Sequence, residues 1–159
     1  VWIAARTLSK DKLVQSPKLR PVLIAPEFSG GDAPLILSPQ HGVLLRVDGG
    51  EETLVRAAHL ARLGGGNVLL TQYCSSLITF HVMFEAHQIV FANGAPAESF
   101  YPGPNAFGAL ASEARAEVSE LFPDLFPMRA SESYGDRARH VALFRDLPDQ
   151  LGALSQAAR

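Results

Sequence analysis

The side chains here best suited to acid–base or metal chemistry are five histidines, His41, His59, His81, His87 and His140. Imidazole titrates near neutrality and is the commonest metal ligand. His81 and His87 lie six positions apart. On one continuous strand they would share a face but stand ~20 Å apart at ~3.3 Å per residue, too far for one ion. A fold-back at Glu85-Ala86 sets Phe84, not His81, opposite His87. With no His-x-His or His-Glu-x-x-His, nothing nucleates a metal site, and neither metal nor cofactor is expected. Ser75-Ser76 lies outside any Gly-x-Ser-x-Gly elbow, and Gly64-Gly65-Gly66 lacks the Lys-Ser or Lys-Thr of a phosphate loop. The single cysteine, Cys74, excludes a disulfide framework and a cysteine-based zinc site. Next to Tyr73 and ahead of an apolar run, it reads as a small buried hydrophobe. Taken alone, His41 after Ser38-Pro39 reads as a turn residue capping a strand, and a histidine on an apolar strand as a paired core residue.

The elements that must position these groups divide near residue 104. From Val1 to Gly103 the apolar runs are short: Pro21 to Pro26, Leu35 to Leu37, Val43 to Leu45, Val68 to Leu70, Leu77 to Phe84 and Gln88 to Phe91. Turn signals separate them at Ser29 to Asp32, Asp48-Gly49-Gly50 and Gly64 to Asn67, which predicts short strands. Val1 to Arg6 also reads as a strand, and Ala57 to Leu63 as one short helical turn. Arg20-Pro21 and Ala25-Pro26 suggest an edge strand, because proline cannot donate to a ladder. After Pro104 the period changes. Asn105 is placed to cap a helix on which Phe107, Leu110, Ala114, Val118 and Leu121 share one face, and Pro123 ends it. Further helices are expected over Asp136 to Asp146 and from Pro148. The expected architecture is an all-β body of short twisted strands over residues 1–103, carrying a helical C-terminal tail over 104–159.

The composition narrows the function classes. In 159 residues, 47% hydrophobic and 19% charged, there is enough apolar surface for one folded core. A net charge of −2 argues against nucleic acid as the main partner, since phosphate binding needs clustered Lys and Arg. No apolar run approaches the ~18 residues of a membrane-spanning helix. The chain opens at Val1 without an initiator Met or a charged-then-apolar leader. That opening reads as the middle of a first domain in a longer polypeptide.

Two segments carry a further signal. The first is Leu37-Ser38-Pro39-Gln40-His41-Gly42-Val43-Leu44. The second runs from Thr79-Phe80-His81 through His87-Gln88-Ile89-Val90-Phe91-Ala92-Asn93-Gly94 to Glu98-Ser99. Together they resemble the hedgehog/intein (Hint) self-processing domain in its bacterial branch, with its Ser-Pro-x-His element and its His-x-x-x-Phe-Ala-x-Gly-x-x-x-Glu-Ser run. Trp2-Ile3 with Arg6-Thr7-Leu8 looks like the strand and basic turn between that family's nucleophile and its histidine motif. The resemblance covers residues 1 to about 104.

It implies a specific chemistry. In Hint domains a Cys or Ser at the first position attacks the preceding peptide bond, giving a thioester or ester. An amide nitrogen is a poor leaving group and needs a general acid, which an imidazole supplies near neutrality. By position, the resemblance makes His41 that acid, Ser38 the hydroxyl holding the scissile amide, and His87 a helper in the later step. His81 is read as structural, its ring satisfied by a backbone partner. The substrate would be the domain's own upstream polypeptide, with the nucleophile lying before Val1, so the 159-residue chain alone is expected to be inert. The intein His-Asn ending is replaced by Ala97-Glu98-Ser99, so cleavage rather than splicing is expected. An exported, extracellular location follows only by analogy with similar bacterial proteins. Two other classes stay open: a non-catalytic Hint-like interaction or secretion-associated module, and an unrelated β-rich ligand-binding domain. The sequence assigns no oligomeric state.

Overall fold

The computed structural model describes residues 1–47, 49–68, 75–124, 134–148 and 154–156. Among the described residues, ten strands and five short helices follow in the order β1 (Trp2–Ser9), α1 (Lys10–Gln15), β2 (Val22–Ile24), α2 (Pro26–Ser29), β3 (Leu35–Leu37), β4 (Gly42–Val47), β5 (Glu52–Arg56), α3 (Ala57–Arg62), β6 (Gly66–Val68), β7 (Ser76–Met83), β8 (Ile89–Ala92), β9 (Ala95–Glu98), α4 (Pro104–Gly108), α5 (Ser112–Leu121) and β10 (Leu154–Gln156). Every named strand pairing is antiparallel. The result is a β-rich fold with a few helices.

The strands form three sheets. β1 and β7 make a two-stranded ribbon in which Trp2 faces Met83 and Ala4 faces His81. β4 is central to a five-stranded sheet. β5 takes one of its edges, while β9 at Val43 and β10 at Leu45 to Val47 share the other. Val43 and Leu45 point into one hydrophobic cluster, and Leu44 into another with Leu54. Burial on both faces explains why β4 is a continuous apolar run rather than an alternating one. The main cluster joins β4 and β5 to α3 (Leu60) and to the small sheet β3–β2–β6 (Val22, Ile24, Leu35). A separate cluster, Trp2, Met83, Val118, Phe122 and Tyr134, fastens α5 to the ribbon.

Several local expectations are corrected. β2 is the middle strand of its sheet, not an edge. Pro21 and Pro26 flank its three residues without entering the ladder, and Pro26 instead takes the first position of α2. β5 and β9 are additional strands. The signal for β9 is Asn93-Gly94, with φ of 50° and 77°, the pair of left-handed residues that a type I′ hairpin turn requires. The helix expected from Asn105 is two helices, the first capped at Gly103 with Pro104 at its start. Its apolar face holds through Phe107, Leu110, Ala114 and Val118, but Leu121 is 54% exposed. No helix forms over residues 136–146 beyond a 3₁₀ turn at Phe144–Asp146. There the chain is extended because other residues claim its backbone groups: Leu54 N–H donates to His140 O at 2.7 Å, and Ala142 N–H to Leu54 O at 3.0 Å. The helix expected from Pro148 falls largely outside the described residues, and Leu154–Gln156 is a strand. Cys74 also lies outside them.

Candidate functional site

The turn before β4 is closed by its own backbone. His41 N–H donates to Ser38 O at 3.0 Å, and the start of α3 returns to the same loop, Ala57 N–H to His41 O and Ala58 N–H to Pro39 O, both at 2.9 Å. This clamp leaves Ser38 and His41 on the wall of an open cavity of about 540 Å³. His81 on β7, Phe100, Glu98 at the end of β9, and Arg137 line it as well. The His41 ring is half-buried and faces the main-chain carbonyl of Glu98. Desolvation lowers its pKa below the usual 6.5; the Glu98 charge opposes that shift and His87 adds to it. At neutral pH, His41 is therefore an uncharged imidazole, able to take a proton before giving one up.

His87 does not reach the cavity wall. Its side chain is 0% exposed, and its Nε2 lies 3.3 Å from Glu98 Oε2, an electrostatic contact rather than an aligned hydrogen bond. Its Nδ1 accepts the Ala138 N–H at 2.9 Å. Glu98 is the residue that joins the two motifs. Its Oε1 accepts the Gly42 N–H at 2.7 Å, immediately after His41, and its Oε2 faces both His87 and Arg137 Nη1, the latter at 3.0 Å. Burial pushes the Glu98 carboxyl upward. His87, the nearby His41, the Gly42 N–H and Arg137 outweigh it, so the group lies below the usual carboxylate range and is ionised.

His81 differs from its sequence reading. No backbone group hydrogen-bonds its ring among the described residues; it packs against Phe100 at 5.0 Å and borders the cavity. Burial, His41 and Arg6 all depress its pKa. His59 lies away from the cavity, its ring edge-on to Phe144 at 5.4 Å. Sequence reasoning missed Glu98 as a site residue, although it closes the second motif. It also missed Arg137, for which there was no local signal. Among the described residues no group of three or more His, Cys, Asp or Glu could hold a metal ion, and no helix is long and apolar enough to cross a membrane.

A family model described as the Hint domain matches residues 1–104. The chain belongs to the Hint domain family. That match takes in β1 to β9, and with them Ser38, His41, His81, His87 and Glu98. No curated protein and no solved structure matches the chain. Within this Hint domain the two histidine-bearing segments meet through the single carboxylate of Glu98.

Proposed function

We propose that this Hint domain is the processing part of a longer polypeptide, which breaks the peptide bond before its own Cys or Ser by an N-to-S or N-to-O acyl shift. The observation that carries the reading is the meeting of Ser38 and His41 on one cavity wall, with His87 tied to the same site through Glu98. A neutral His41 takes the proton of the attacking thiol or hydroxyl and delivers it to the amide nitrogen as the C–N bond breaks. The Ser38 hydroxyl holds the scissile amide. His87 serves the later step, in which water or another nucleophile takes the acyl group. The partner is the domain's own upstream segment, and the reaction calls on no cofactor. The nucleophile belongs to that segment, because attack of this kind depends on covalent proximity, worth effective molarities of ~10⁵ M or more.

The test joins a Cys-bearing upstream segment and a passenger to Val1 and follows cleavage by gel electrophoresis, with and without hydroxylamine. Hydroxylamine should accelerate release by trapping the thioester. His41→Ala should slow the first step by ~10²–10⁴, while His59→Ala should cleave normally. Cleavage of His41→Ala at the parent rate would remove His41 from the mechanism. A folded parent that never cleaves would favour a non-catalytic binding module.

A further inference from the structure

Residues Tyr134 to Ala142 lie beyond the matched Hint region, which ends at residue 104, yet they run along the site as a strap. The strap is held at both ends. Tyr134 OH donates to Phe84 O, and the phenol, pushed up to about 12 by burial, stays protonated to do so. Tyr101 OH donates to Gly135 O at 2.9 Å. At the other end Val141 forms a parallel bridge with Leu54. Between these anchors the strap presents two polar groups inward, the Ala138 N–H and the Arg137 guanidinium.

We infer that the strap is a working part of the site, in which the Ala138 backbone and Arg137 position His87 and Glu98. A neutral imidazole carries one N–H, and the ring nitrogen that accepts a hydrogen bond is the bare one. Because His87 Nδ1 accepts from Ala138 at 2.9 Å, the proton sits on Nε2, which faces Glu98 Oε2. Moving the proton to Nδ1 would set two N–H groups against each other inside a buried pocket, leaving both unpaired. Arg137 holds the same carboxylate. Its Nη1 bonds the same oxygen at 3.0 Å, and its guanidinium lies 3.9 Å over the Tyr101 ring. Tyr101 in turn packs edge-on against His87 at 5.4 Å. Since the other Glu98 oxygen holds the Gly42 N–H, a displaced carboxylate would also release the turn that carries His41. The strap thus orders both histidines.

The effect on rate rests on the proposed processing reaction; the effect on His87 does not. The experiment is therefore nuclear magnetic resonance of the ¹⁵N-histidine- and ¹³C-glutamate-labelled 159-residue protein. The wild type should show His87 as a single tautomer protonated at Nε2. Ala138→Pro, which removes the N–H, should give a mixture of tautomers, while Ala138→Gly, which keeps it, should not. The Arg137 side chain is 37% exposed, so Arg137→Ala tests the strap without a buried deletion. It should move the Glu98 carboxyl titration to higher pH, and Arg137→Lys should restore part of the shift, since a point charge replaces a fork. In the cleaving parent, Arg137→Ala should slow processing about tenfold, as the loss of a partner that orients another group does. A His87 signal unchanged in folded Ala138→Pro, or a Glu98 titration unmoved in Arg137→Ala, would overturn the inference. If no parent cleaves, wild type included, the processing reading falls and the resonance data still decide the strap.

Discussion

Protonating three of its imidazoles costs this protein stability. His41, His59 and His81 are all held below the ordinary 6.5, mainly by burial. In the unfolded chain they bind protons near that value, so between it and the lower folded values the unfolded state holds more protons. Stability from the three is present in full above pH 6.5 and is lost as the pH falls through their folded values. Glu98 adds a second loss, since its folded carboxyl lies below the ordinary 4.5. The urea midpoint should therefore be highest near neutrality, decline from pH 7 to pH 5, and decline further below 4.5. His41→Gln, which cannot titrate, should flatten the upper part of that profile. A midpoint constant between pH 7 and pH 5 would contradict the burial of these rings.

At the scale of elements, α5 tests how a helical face is used. Val118 is 0% exposed against Trp2 and Met83, whereas Leu121 is 54% exposed. Val118→Ala should cost about 1–3 kcal/mol through lost burial and a cavity. Leu121→Ala should stay within about 0.5 kcal/mol. Equal losses in chemical denaturation would mean that the helix packs on a different face. The period after Pro104 revealed the helical face because propensity and burial agree there, but not the break at Ala109–Ala111. Strands β2, β3, β4, β7 and β8 were legible because their apolar runs are bounded by turn residues. β9 was not: its one signal is the Asn93-Gly94 turn before it, since Ala95-Pro96-Ala97-Glu98 has no β-branched residue and its small side chains suit a slot between β4 and β8 that exists only after folding. The same holds for the site. Ser38 and His41 announce themselves in one motif, but the strap is fixed by Leu54, Phe84, His87 and Glu98, residues ~40 to ~90 positions away, which no local pattern encodes.

At the scale of the whole molecule, the small sheet and the central sheet are joined where α2 meets the β8–β9 turn. Asp32 N–H donates to Asn93 O at 2.7 Å. A Cβ on Gly31 would lie 2.6 Å from that same carbonyl oxygen, which is backbone and cannot swing aside. Gly31→Ala should therefore destabilise the protein by about 1–3 kcal/mol, read as a fall in thermal midpoint. An unchanged midpoint would show that the two sheets separate freely at this joint. The junction between the ribbon and α5 lends itself to another use. Trp2 is the single tryptophan of the chain; it is 2% exposed, and its Nε1–H donates to Glu117 Oε2 at 2.9 Å. Its emission therefore watches the ribbon–helix cluster, while the larger cluster around β4 and α3 holds no tryptophan. Unfolding followed at once by tryptophan emission and by far-ultraviolet dichroism compares the two clusters without a label. Coincident curves would mark one cooperative unit, and an earlier change in emission would mark a helix pair that leaves while the sheets stand.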